Sequence, residues 1–459
     1  MLLYGTLAYL VLNVLVGLWA ARRVKNAEDF LLAGRSLGLG LTTATIFATW
    51  FGSETVMGAS SQMAQYGLYG VVEDPFGAAF CLLLLGAVFA RPLYRMNLLT
   101  FGDFYRDRFG PLAERVASVM LVISYLGWVA AQFVALGLIG EIMLGLPLAQ
   151  GIWMGASVVV LYTFMGGMWS VAVLDMLQNT VIVAGLVATL LFILPDMQLD
   201  KLTTTLPPGY FRFTPQTHTP VEWLNYLAAW ITIGLGSLPQ QDLFQRVNAA
   251  RNAQTAARGA YIGAALYLTV GLIPLVVAVH VRVNHPELLQ ADSQTLVLHY
   301  LLQQTPLALQ LLFMGALISA IMSTASGALL APSAILTENL LKRIAPDYVG
   351  PRLLLFSRLS VLAAAAASLA LALGRSNIFE LVGESSAISL VSLFVPFVFG
   401  LFAPRHSFGA PSALLSMVAG FGGWFVALQY ETLLSPLVWG LVASLAGWFV
   451  AQLQRKKKA

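Results

Sequence analysis

Apolar residues arrive along almost the whole chain in runs of about twenty, separated by short clusters of Gly, Pro and charged residues. At about 1.5 Å per helical residue, such a run matches the ~30 Å hydrocarbon core of a bilayer, where a helix satisfies its own backbone hydrogen bonds. The pattern predicts an all-α integral membrane protein with about thirteen transmembrane helices. They lie over residues 2–21, 40–64, 71–91, 113–142, 147–166, 173–194, 222–243, 257–280, 306–340, 353–373, 377–402, 409–429 and 433–453. No stretch remains for a soluble domain, so residues 1–459 are read as a single transmembrane domain.

Composition agrees, with 58% hydrophobic and 10% charged residues and a mean hydropathy of +0.79. The first run has no basic residue before it and Arg22, Arg23 and Lys25 directly after it, the reverse of a cleavable signal peptide. It is read as a retained helix with its N-terminus outside. An odd span count then assigns every loop a side. Of the 25 Lys and Arg, all but Lys201, Arg212, Arg282 and Arg375 fall in cytoplasmic segments, including Arg246, Arg405 and the terminal Arg455 to Lys458. That asymmetry satisfies the positive-inside rule and predicts a multi-pass protein of the cell inner membrane with a cytoplasmic C-terminus. The net charge of +4 is thereby explained by topology, and nucleic acid is not implied. Cys81, the single cysteine, excludes an internal disulfide and reads as a small buried hydrophobe. The external stretch from Pro195 to Pro220 reads as surface structure.

Two spans are interrupted. The second carries Thr45-Ile46-Phe47-Ala48-Thr49-Trp50-Phe51-Gly52-Ser53-Glu54-Thr55, and the seventh carries Thr232-Ile233-Gly234-Leu235-Gly236-Ser237-Leu238-Pro239-Gln240-Gln241-Asp242. Each is the first of five successive spans, 2–6 and 7–11, and an odd number gives the two groups opposite orientations. This is a 5+5 inverted-repeat core over about 40–194 and 222–402, with peripheral helices at 2–21, 409–429 and 433–453. A lone interruption is most simply a packing kink; a matched pair points to a transporter's site near the bilayer midplane.

In the ninth span, Ala316, Ser319, Ala320, Ser323, Ser326 and Gly327 form one small, hydroxylated stripe. Ala320, Ser323 and Thr324 can offer one carbonyl and two hydroxyls to a hard cation such as Na+, with freed carbonyls of the second span opposite. The same stripe also suits close helix packing, its hydroxyls bonded back to their own helix.

The chain here resembles the sodium:solute symporter family. The resemblance is carried by Glu28-Asp29-Phe30-Leu31-Leu32-Ala33-Gly34-Arg35-Ser36-Leu37-Gly38, by Gly166-Gly167-Met168-Trp169-Ser170 through Asp175 to Gln178, by Leu243-Phe244-Gln245-Arg246-Val247-Asn248-Ala249-Ala250, and by Ser319 to Leu340 with Ala334-Ile335-Leu336-Thr337-Glu338-Asn339-Leu340. It implies the leucine-transporter type of fold and a sodium site formed by the carbonyls of Ala48, Phe51 and Ala320 and the hydroxyls of Ser323 and Thr324. It also implies a possible second sodium at Asp175 and Ser326, although Gly327 stands where two-sodium members carry a hydroxyl. Apart from the resemblance, Asp175 reads as a helix-end carboxylate facing the cytoplasm.

Within the family the resemblance is nearest the choline-transporter-like branch. Trp50 matches a position of that branch's aromatic cage, while Ala78 and Gln240 replace further rings; Phe76 and Ala79 stand where sugar-binding members place polar groups. Candidate solute contacts are Trp50, Glu54, Phe76, Gln240, Gln241 and Glu384. Glu54 is the most pointed, because a carboxylate deep in a span costs about 2.5 kcal/mol or more to insert unless it faces a cavity or a partner. It reads equally as a cap on freed amides or as the counter-charge of an amine-bearing solute, an amino acid or a quaternary amine. The expected function is sodium-coupled symport of a small organic solute into the cell. Rival readings are a channel, which needs a continuous polar pore, and a transport-like sensor, expected to carry a signalling domain beyond Ala459. No nucleophile with its base and no metal-ligand spacing suggests an enzyme.

Overall fold

The computed structural model describes residues 2–197, 199–217, 219–290, 292–404 and 407–456. Arg405, Lys457 and Lys458 of the charge argument lie outside them. The architecture is all-helical and built from α1 (Leu2–Ala21), α2 (Leu39–Ala48), α3 (Glu54–Arg95), α4 (Phe101–Phe109), α5 (Pro111–Leu144), α6 (Leu148–Ile193), α7 (Pro220–Gly236), α8 (Gln241–Ala249), α9 (Ala253–Asn284), α10 (Leu307–Ile344), α11 (Leu353–Ala372), α12 (Ile378–Phe402), α13 (Ala410–Ala427) and α14 (Pro436–Lys456). Shorter helical turns join them.

Ten helices among the described residues are long and apolar enough to cross a membrane, fewer than the thirteen runs read from the pattern. The difference has a physical origin. Helix α6 runs for 46 residues through a bend at Gly167, so two apolar runs appear as one helix. Gly167 has φ +50, and a side chain there would collide with the carbonyl and ring of Phe30. Helix α3 likewise passes turns at Gly67 and Asp74 without losing its helical course for long. That helix takes up the end of the second run, which breaks after the 10 residues of α2, together with the third; one other run is cut short, α7 having 17 residues before the chain breaks.

The bundle's centre is formed by α10 lying against α6, α5 and α2, with α9 packed on α2 and α3, and α12 on α5. Helices α13 and α14 pair with each other at the side. Most of α10 is buried, its small residues letting α5 and α6 approach closely.

Segments far apart in sequence meet at one end. The Leu37 amide donates to the Ala249 carbonyl at 3.0 Å, and the Arg251 amide to the Leu37 carbonyl at 2.9 Å. Arg35 reaches the Leu98 carbonyl at 2.8 Å and Asn248 Oδ1 at 3.1 Å. Asn339 donates to Glu114 at 2.9 Å and Asp103 at 3.1 Å, and Arg343 pairs with the same two carboxylates. These contacts account for much of the conspicuous sequence around Arg35, Asn248 and Asn339 without invoking a ligand. At the other end, the stretch read as surface structure is largely exposed, with Tyr210 turned inward. Tyr210 accepts the Leu68 amide at 3.0 Å, and Phe213 packs edge-on to Phe76 with ring centroids 4.8 Å apart.

Candidate functional site

Helix α2 stops at Ala48, and the chain from Thr49 to Ser53 leaves the helical hydrogen-bond ladder before a wide, π-type turn begins at Glu54. The freed groups find side-chain partners. The Ser53 amide donates to Gln132 Oε1 at 3.1 Å, and the Trp50 carbonyl accepts Tyr267 Oη at 2.9 Å. Gly52 is required by space: a Cβ there would lie 2.7 Å from Thr324 Oγ1, 2.8 Å from Glu54 Oε2 and 2.9 Å from Gln132 Oε1. Thr324, Glu54 and Gln132 therefore converge on one glycine.

The second break follows Gly236, with Gln240 extended and α8 starting at Gln241. Asp242 ties the two breaks together. Its Oδ2 accepts the Trp50 indole N–H at 3.2 Å, its Oδ1 accepts the Tyr125 hydroxyl, and its amide donates to Tyr125 Oη at 2.8 Å.

Between the breaks lies a cavity lined by Trp50, Glu54, Asp74, Trp128, Ile233, Ser237, Gln240, Val382 and Ser386. Its free volume is about 10 Å³, the space of about one water molecule. Glu54 is 2% exposed, its Oε1 accepting the Trp128 indole N–H at 3.2 Å and its Oε2 the Gln132 amide at 2.8 Å. Asp74, which is not among the candidates named from the sequence, is 1% exposed; its Oδ1 accepts Tyr267 Oη at 2.8 Å and its Oδ2 has no hydrogen-bond partner. The insertion-cost argument applied to Glu54 would have found Asp74, and Trp128 as well once its helix was placed beside the break.

The other candidates divide. Trp50 and Gln240 line the cavity. Phe76 does not; it packs on Phe213. Gln241 accepts the Phe101 amide at 2.6 Å and braces α4. Glu384 forms a two-pronged pair with Arg375, at 2.5 and 2.9 Å, in a partly exposed position, while its neighbour Ser386 reaches the cavity.

Beside the first break, Thr324 Oγ1 donates to the Ala48 carbonyl at 3.1 Å, so α2 and α10 meet through two of the five oxygens expected to hold sodium. Ala320 is fully buried one turn earlier on α10. The Phe51 ring stacks on Phe47 at 4.8 Å and meets Tyr267 edge-on at 5.6 Å. Ser323 donates to Asp175 Oδ1, whereas Ser326 bonds back to the Ser323 carbonyl at 2.9 Å. Asp175 is 1% exposed in the middle of α6, which corrects its reading as a carboxylate facing the cytoplasm. Arg246, counted with the cytoplasmic charges, is fully buried on α8 next to Gly327 and donates to the Asp242 carbonyl at 3.3 Å.

Two interrupted helices facing each other across a closed polar cavity, inside a bundle of membrane-length helices, are the parts of a secondary transporter. Residues 30–420 match the sodium:solute symporter family, and the chain belongs to it. It is therefore a multi-pass, sodium-dependent symporter of a small solute and not an enzyme. It is 26% identical over 430 residues to the High-affinity choline transporter 1 of Drosophila melanogaster, covering 90% of this chain and 69% of that protein. It is 27% identical over 451 residues to the Sodium/proline symporter of Haemophilus influenzae, covering 92% and 88%. A solved structure of a Na+-coupled sialic acid symporter, substrate-bound and outward-open, has the same fold, with a TM-score of 0.82 at 21% identity over 98% of each chain.

Proposed function

We propose that this symporter brings a solute carrying a positively charged nitrogen into the cell, in the cavity between Trp50, Glu54 and Trp128. The observation that carries the reading is Glu54, a buried carboxylate that faces the cavity and takes part in none of the ion pairs among the described residues. A desolvated carboxylate is costly without a counter-charge, and an ammonium group supplies one while the indole faces of Trp50 and Trp128 add cation–π attraction. Similarity to choline and proline transporters is in keeping with such a solute, and we place the chain nearest the choline-transporter-like branch. The test is Glu54→Gln. Binding of an ammonium-bearing solute should weaken at least about tenfold, with sodium binding and melting temperature nearly unchanged. If affinity for the best solute survives while the melting temperature falls, Glu54 is a structural cap.

Sodium is assigned to the carbonyls of Ala48, Phe51 and Ala320 and the hydroxyls of Ser323 and Thr324. Buried hard oxygens with partial negative charge suit Na+, and the contact between Thr324 and the Ala48 carbonyl supports the grouping. Asp175 is assigned the orientation of Ser323, because Ser326 is turned to its own helix and Gly327 offers no hydroxyl for a second ion. Asp175→Asn should then raise the sodium concentration needed for half-maximal uptake and leave the charge moved per solute unchanged in proteoliposomes. A lower charge-to-solute ratio would instead restore a second sodium at Asp175 and Ser326.

The thirteen-span, 5+5 reading is kept as a proposal, with one transporter domain in the inner membrane, an outside N-terminus and a cytoplasmic C-terminus. It is supported by residue number: the 46 residues of α6, bent at Gly167, and the 42 of α3, broken at Gly67 and Asp74, are each enough, at about 1.5 Å per helical residue, for about two hydrocarbon thicknesses.

A further inference from the structure

We infer that the solute is a dication, two protonated amino groups on a short apolar chain, held by Glu54 at one end and Asp74 at the other. The inference rests on reading the cavity as the solute site. Glu54 is committed at both oxygens to N–H donors from Trp128 and Gln132, which fixes where its charge sits. Asp74 is different. The helix opens at this residue, with φ −141 and ψ 126, and its Oδ1 is anchored by Tyr267. Asp74 lines the same cavity, its buried Oδ2 has no hydrogen-bond partner, and it takes part in no ion pair among the described residues.

A single ammonium would neutralise one carboxylate and leave the other buried without a counter-charge, an arrangement that low-dielectric surroundings penalise heavily. Two ammonium groups complete both. The rest of the lining suits a linker: Ile233 and Val382 are apolar, and Trp and other aromatic rings accept methylenes and ammonium groups alike. The lining encloses only about 10 Å³ of free volume, so a solute enters by displacing side chains.

The experiment is binding to the purified full-length protein in sodium chloride by titration calorimetry, with 1,4-diaminobutane, n-butylamine and tetramethylammonium as probes. The wild-type protein should bind the diamine at least about tenfold more tightly than either monocation. Asp74→Asn should bring the diamine down to the level of n-butylamine, and Asp74→Glu should restore part of the preference. A series of diamines of different chain length on the wild-type protein, which needs no variant to fold, should show one preferred length. If n-butylamine or tetramethylammonium binds at least as well as every diamine, and binds through Glu54, the dication is wrong and the amine-bearing reading stands. If no amine binds while another solute is transported, both readings fall. Equal affinity for all diamine lengths, or a diamine preference untouched by Asp74→Asn, also overturns the assignment of Asp74.

Discussion

Replacing Ser323 and Thr324 together by Ala raises the sodium concentration for half-maximal uptake by about one to two orders of magnitude, each lost hydroxyl contributing on the order of 1 kcal/mol. Two effects combine. Thr324 is the side chain that joins α10 to the end of α2, at the Ala48 carbonyl. Ser323 is the partner of the buried Asp175, so its removal leaves a carboxylate oxygen with nothing to accept from beside the proposed cation. Uptake by the double variant, measured in vesicles over a range of sodium concentrations, checks the result. Thr324→Ser should retain most of the wild-type dependence because the oxygen is kept. An unchanged sodium requirement in a well-expressed double variant would remove these two residues from the site.

Gly52→Ala should be nearly inactive although only one methyl group is added. Its Cβ would fall within 3.0 Å of Thr324 Oγ1, Glu54 Oε2 and Gln132 Oε1, closer than real Cβ atoms approach other atoms. Overpacking of this kind costs about 1–3 kcal/mol, and the strain is placed where the proposed cation and solute sites adjoin. Both the sodium requirement and the solute affinity should therefore worsen, each by about tenfold or more, in a protein whose melting temperature drops by only a few degrees. Solute and sodium titrations of one purified variant, with its thermal melt, measure all three. A shift in only one affinity would mean that Thr324 and Glu54 respond to the break independently.

The two predictions share a cause. Thr324 and Glu54 approach the same glycine, one from α10 and one from directly after the break of α2. On the proposed assignment, sodium held through Thr324 would also set the position of Glu54, which would give a direct physical route for coupling the ion to the solute. The reciprocity of linkage requires the converse: a solute held by Glu54 tightens sodium binding by the same factor.

Hydrophobic run length alone established an all-helical membrane protein, because the bilayer leaves few ways to satisfy a backbone and each leaves a mark about twenty residues long. The two breaks were legible for the same reason: Gly52, Gly236 and Pro239 are exceptions within apolar surroundings. Glu54 was legible as a charge out of place, and Trp50 and Gln240 through their nearness to the breaks. What the pattern did not carry was the identity of the neighbours across the bundle. Asp74 and Trp128 reach the cavity from α3 and α5. Gln241 and Glu384, equally polar and equally close to it in sequence, turn instead to the Phe101 amide and to Arg375. Arg246 looked like a loop cation and is buried; Asp175 looked like a helix end and faces Ser323. Periodicity records which residues avoid lipid, since that cost falls on each residue separately. Which polar side chain serves the cavity and which serves a neighbouring helix depends on the rotation and approach of helices far apart in sequence, and only the tertiary structure decides it.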